Sequence, residues 1–225
     1  TDKYALTYDK DATMTRNDRS LNSVSLVSSG TTYTSTAASK KVYTDNTLVS
    51  VFSAKAGTTV QPKFNYTGSW MSAYVYVDWN NNGKFEYTVN SNGTPAEGSE
   101  IVSYNAAMIG DTWYKSDGTT TGNGNTIGSG VPSFTVPAGT PAGLYRMRYK
   151  VDWNSIDPAG SNTIIPDGGG YVDLMLDVHG DKVSVSASQL NGDIVLAADE
   201  SALQGYMTNY AQPLTVKDIP APVFL

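Results

Sequence analysis

Tyr145–Asn154 reads YRMRYKVDWN, and its alternation decides the fold class. Tyr145, Met147, Tyr149, Val151 and Trp153 occupy every second position, with Arg146, Arg148, Lys150, Asp152 and Asn154 between them. Side chains of a strand point to opposite faces in turn, so this period of two predicts a β-strand with the first set toward a core and the second outward. An earlier stretch has the same phase: Met71, Ala73, Val75, Val77 and Trp79 alternate with Ser72, Tyr74, Tyr76, Asp78 and Asn80. Both stretches end in VDWN, at Val77–Asn80 and Val151–Asn154, which is too short an echo to establish a repeat. It predicts two similar strand ends, each with Trp inward and Asp outward.

Further strands are expected at Asn22–Val27, Leu48–Ala54, Val60–Tyr66, Ser133–Val136 and Tyr171–Val178, separated by clusters of Gly, Pro and Asn. Amphipathic helical periodicity is absent apart from a short turn near Ser201–Tyr206. Short strands at this spacing predict an all-β fold, an antiparallel β-sandwich of jelly-roll or Ig-like type. Residues 1–180 are expected to form the sandwich. After Gly180 the pattern changes: Val183, Val185 and Ala187 alternate, Asn191-Gly192 offers a hairpin turn, and Ile194–Leu196 resume the strand. Residues 181–225 are too few for a large independent core, so they are expected to be a small C-terminal β appendage or the start of a second β domain. The Gly, Thr, Asn and Ser of Asp111–Gly130 predict a long loop, with Trp113 and Tyr114 either forming a contact surface or pinning the loop to the sandwich.

Composition narrows the function. The chain has 225 residues, and its 16% charged residues carry a net charge of −6, which argues against a nucleic-acid-binding face built from clustered Lys and Arg. No apolar run of about 18 residues predicts a membrane span. No secretory leader pattern stands at Thr1, and for an exported chain the expectation is that any such signal has been removed. The absence of cysteine excludes disulfides, thiolate catalysis and Cys-ligated zinc. The abundance of Thr, Ser, Asn, Gly and Tyr is in the style of extracellular β-proteins, so an extracellular or cell-surface location, outer-membrane associated, is expected.

The segment Asp78–Glu86, DWNNNGKFE, carries the most chemistry. Asp78, Asn80 and Asn82 stand at the first, third and fifth positions of a calcium-type loop, Gly83 at the sixth, the Lys84 carbonyl at the seventh and Glu86 at the ninth. The twelfth position is Val89, so a bidentate carboxylate has to come from elsewhere, Glu97 or Glu100. Asn82-Gly83 between two strand-like runs is equally the mark of a hairpin turn that needs no metal. Any calcium is expected to be a structural clamp. The second corner, Asp152–Asp157, lacks this spacing and is expected to be solvated or to cap a turn.

These pieces together resemble the GEVED family of β-sandwich domains of secreted and surface-attached bacterial proteins. The family's D-x-N-x-D-G-x-F motif is matched by Asp78, Asn80, Asn82, Gly83 and Phe85, with Asn82 in place of Asp. Its P-x-x-x-x-x-G-x-x-R-x-R strand is matched by Pro137, Gly143, Arg146 and Arg148. Of its final G-E-V-E-D-Y strand, Gly169–Leu174 keeps Gly169 and Asp173 but has Gly170 where an acid is usual. Tyr43–Val60 is similar to the family's first strand and turn, so the resemblance spans roughly Leu21–His179. It implies a variant found beside glycan-degrading modules, where such domains bind carbohydrate or space a catalytic unit.

A single histidine, His179, and no G-x-S-x-G elbow leave little for hydrolysis by a nucleophilic serine. Glu86, Glu97, Glu100 and Asp111 show no spacing that selects a carboxylate pair. The expectation is a non-catalytic accessory module whose partner is carbohydrate or a neighbouring protein module, with Trp113, Tyr114, Trp70, Tyr74 and Tyr76 as candidate ligand-binding aromatics and a structural spacer as the alternative.

Overall fold

The alternating stretch at 145–153 lies in a single inner strand of the larger sheet of a two-sheet sandwich. The structure, a computed structural model, describes residues 3–6, 11–122, 128, 130–153 and 168–180. These contain eleven strands: β1 Ser20–Ser28, β2 Thr31–Thr36, β3 Tyr43–Asp45, β4 Val51–Lys55, β5 Thr59–Thr67, β6 Met71–Val77, β7 Ile101–Ile109, β8 Thr112–Lys115, β9 Phe134–Thr135, β10 Gly143–Trp153 and β11 Gly170–His179. One sheet runs β2-β1-β5-β9; the other runs β3-β11-β10-β6-β7-β8, with β4 following β3 along the same edge of β11. Pairing is antiparallel except where β3 and β4 lie parallel to β11. The predicted appendage at 181–225, with its hairpin and its turn at 201–206, lies outside the described residues.

The main core fills the space between the sheets. Val24, Leu26, Val60 and Phe134 meet Ala73, Val75, Val77, Met147, Tyr149, Leu174 and Leu176, all buried. These are alternate residues of each strand, as the period of two requires. The Tyr149 ring stands at the centre, packed against Phe52 and Phe64, and its hydroxyl donates to the Ser25 carbonyl across the sandwich at 2.9 Å.

The other face of the larger sheet is where expectation and structure part. Tyr74, Tyr76, Asp78, Arg148, Lys150 and Asp152 are all buried, although alternation assigns them to solvent. A second apolar cluster explains this: Tyr74, Tyr76, Ile101, Tyr104 and Ala107 are covered by Phe85 and Val89 from the β6–β7 connection and by Tyr4 from the N-terminal segment. Every residue of β6 is therefore buried. Asp152 sits 3.7 Å from the Lys150 ammonium, which corrects its expected solvated role, while residues 154–157 of that corner lie outside the described residues. The expected loop at Asp111–Gly130 begins as β8, which pairs back on β7 through Ile109 and Thr112.

Candidate functional site

The charged residues of β10 meet their partner on β11. Arg148 and Asp173 stand opposite one another in the antiparallel register. The Asp173 carboxylate accepts from Arg148 Nε at 2.7 Å and Nη2 at 2.8 Å, from Arg146 Nη2 at 2.7 Å and Nε at 3.0 Å, and from the Tyr43 hydroxyl at 3.0 Å. Burial acts to raise the pKa of this fully buried carboxyl, and the two guanidiniums overcome it, holding Asp173 below the usual carboxylate range. The positive heads rest on aromatic faces: Arg148 lies 4.9 Å from the Phe85 ring centroid and 5.3 Å from that of Tyr171, and Arg146 4.5 Å from Tyr4.

The loop after β6 closes over this ladder. Asn81 and Gly83 have φ values of 54° and 86°, so the chain turns through the left-handed region twice. It is a wider turn than a two-residue hairpin. Asp78, at the end of β6, accepts from the backbone N–H of Gly83 at 2.8 Å and of Asn82 at 3.2 Å, and from the Tyr4 hydroxyl at 2.5 Å. The side-chain oxygens of Asn80 and Asn82 accept from the N–H groups of Asn82 and Lys84, and their amide nitrogens donate to the Glu86 carboxylate at 3.1 and 2.9 Å. All five predicted loop residues, Asp78, Asn80, Asn82, Lys84 and Glu86, thus stand on one turn.

Of the two acids expected to complete the set, Glu100 is the one brought close. It begins the approach to β7, where its carbonyl accepts from Val77 N–H and its carboxylate Oε1 accepts from Glu86 N–H at 3.0 Å. Its carboxyl lies against that of Asp78; burial and this neighbour push it up to about 8. Glu97 is exposed on the preceding turn. Among the described residues no three acidic or histidine side chains are grouped so as to hold a metal ion by themselves, so any cation here needs neutral oxygens as well.

The aromatic candidates separate. Tyr74 and Tyr76 are fully buried and are unavailable to a ligand, because the second cluster covers them. Trp70 is 52% exposed at the turn into β6. Trp113 and Tyr114 are half-buried on β8, where the Tyr114 ring fills the space a side chain at Gly93 would need. None of the five lines the cleft of about 650 Å³ that opens between the loop at 94–99 and the residues flanking β9. Trp79 does, with Glu97, Phe134, Pro137 and Pro141. Its ring also meets Tyr145 edge-on at 5.7 Å. The VDWN echo marked Trp79 as an inward residue, and its contact with a cleft was not readable from that pattern.

A sandwich whose larger sheet is bound on its outer face by an Arg–Asp–Arg ladder and an Asn-rich turn defines the class of domain. The GEVED domain family model matches residues 72–173, from β6 to Asp173 of β11, and this part of the chain is similar to GEVED domains. No curated protein matches the chain. The residues of the family's separated motifs, Asp78, Gly83 and Phe85, Arg146 and Arg148, and Asp173, are brought together here as one structural unit. Gly170, where the family's acid is usual, is a crowded position: a Cβ there would stand 3.2 Å from the Val42 carbonyl oxygen and 3.3 Å from the Leu21 Cβ, so these neighbours would have to give slightly.

Proposed function

We propose that this chain is a non-catalytic accessory module of a secreted or cell-surface bacterial protein, and that it binds carbohydrate in the cleft floored by Trp79. The observation that carries the reading is the composition of that cleft: an indole and prolines together with the polar Thr94, Glu97, Ser99 and Thr140. Sugars are bound by such pairings, a flat apolar surface against the ring's C–H face and a few polar groups for its hydroxyls. An extracellular setting is supported by the chain's composition and by the bacterial surface proteins in which GEVED-type domains occur.

A glycan array probed with the intact protein tests this. Binding to one class of glycan, lost in Trp79→Ala and weakened in Glu97→Ala with the fold retained, supports the cleft. Absence of binding to any glycan, or binding that survives Trp79→Ala, overturns it. A second reading has its own observation: Leu48, Val49 and Val51 are exposed, Leu48 by 97%, in and beside the β3–β4 connection. Such a run suits contact with a neighbouring protein module, and loss of that contact on Leu48→Ser with Val49→Ser, in a protein still carrying its adjoining domains, is its test.

A further inference from the structure

The Asp78–Glu86 turn has a defect when taken on its own. Glu100 is only 2% exposed, and its Oε2 is a buried oxygen with no hydrogen-bond partner. The group its carboxyl lies against is the carboxylate of Asp78, itself fully buried. If both were ionised, two carboxylates pressed together away from water would repel, and a buried acceptor left without a donor costs on the order of 1–3 kcal/mol. Native structures rarely retain such an arrangement without a counter-charge or a shared proton.

We infer that Asp78 and Glu100 are the charged ligands of a calcium site, completed by neutral oxygens of the Asn80–Glu86 turn. Calcium takes six to eight oxygens from carboxylates, amide carbonyls, backbone carbonyls and water. The turn offers this mixture: the Asn80 and Asn82 side-chain oxygens, the Lys84 carbonyl, and Glu86, whose carboxylate at present holds the two amide nitrogens. Glu100 occupies the part that Val89 cannot play at the end of the loop. Because the acid comes from the far end of the β6–β7 connection, the ion ties residues 78–86 to residue 100. The inference stands apart from the carbohydrate reading, since no sugar is needed for the ion to bind.

Terbium luminescence tests it, with Trp79, which sits between Asp78 and Asn80, as the sensitiser. In the intact protein, terbium emission excited through tryptophan is expected to saturate and to be displaced by calcium. Calcium at roughly 100 times its Kd is expected to raise Tm by about 5–10 °C over the EDTA-treated protein. Glu100→Gln keeps the shape of the side chain but cannot ionise, so it is expected to fold about as stably in EDTA while losing the calcium-dependent rise. Asn82→Asp adds a ligand charge and is expected to tighten calcium binding by about tenfold. Terbium emission that calcium cannot displace, or a calcium-dependent Tm rise that persists in Glu100→Gln, overturns the inference, as does a wild-type Tm indifferent to calcium and EDTA. A protein that binds calcium but no glycan leaves the metal site standing and removes only the carbohydrate reading.

Discussion

Asp173 is the residue on which the charged face turns. It is fully buried and accepts from two guanidiniums and a phenol, so its removal strands Arg148, which is equally buried. Breaking one side of a buried ion pair costs far more than the pair contributes, because the remaining charge keeps its desolvation penalty. Asp173→Asn is expected to destabilise by about 3–5 kcal/mol near neutral pH, read by urea unfolding. The pH dependence has a definite sign. The Asp173 carboxyl is held below its ordinary value in the folded protein, so the unfolded chain binds the proton more readily. Its stabilisation is complete above the unfolded value of about 3.9 and drains as pH falls through the lower folded one. The gap between wild type and Asp173→Asn should therefore narrow on acidification below about pH 4, and a gap that stays constant down to pH 2 would place the effect in packing rather than charge.

At the scale of strands, what alternation can register separates what was legible from what was not. β1, β5, β6, β10 and β11 coincide closely with predicted runs, because each turns one apolar set to the main core. β2, TTYTST, carries no apolar alternation and is specified by its pairing with β1 instead. β7, IVSYNAAMI, has no clean period because its first seven residues are buried on both faces. The same double burial made Tyr74, Tyr76 and the β10 cations look solvent-facing: a pattern of polar and apolar residues cannot say that Phe85 and Tyr4, distant in sequence, will cover the polar set. The Asn-rich turn was readable from its spacing, whereas the cleft at Trp79 depends on three separated segments meeting. Strand closeness also explains a glycine. At Gly169 a Cβ would run into the Val151 carbonyl group, with backbone on the other side of the contact and nothing flexible to yield. Gly169→Ala is expected to push β11 away from the end of β10, costing about 2–4 kcal/mol and raising amide exchange at Val151 and Tyr171 before any change at Leu176. Unaltered exchange at those two positions would show that the β10–β11 end can accommodate the methyl group.

For the molecule as a whole, Tyr4 from the N-terminal segment covers part of the outer face of the larger sheet. Its hydroxyl donates to Asp78, its carbonyl accepts from Arg148 at 3.3 Å, its N–H donates to the Gly83 carbonyl at 2.8 Å, and its ring lies between Phe85 at 5.3 Å and the Arg146 guanidinium. One half-buried residue thereby joins the turn, the second apolar cluster and the charged ladder, three regions that the main core does not reach. Burial and the bond to Asp78 hold the phenol protonated well above its usual range, so this link persists across the range in which a free tyrosine would ionise. Tyr4→Phe removes only the hydroxyl and is expected to cost about 1 kcal/mol. Tyr4→Ala uncovers Phe85 and Arg146 as well and is expected to cost about 1–3 kcal/mol, lowering Tm by about 2–4 °C for each kcal/mol at this chain length. The decisive readout is local. Proton exchange at the Arg146 and Arg148 side chains should accelerate in Tyr4→Ala while the amides of β1 and β5, on the opposite sheet, keep their protection. Equal acceleration in both sheets would mean that Tyr4 stabilises the sandwich globally rather than sealing one face, because the two cores would then be opening as a single cooperative unit.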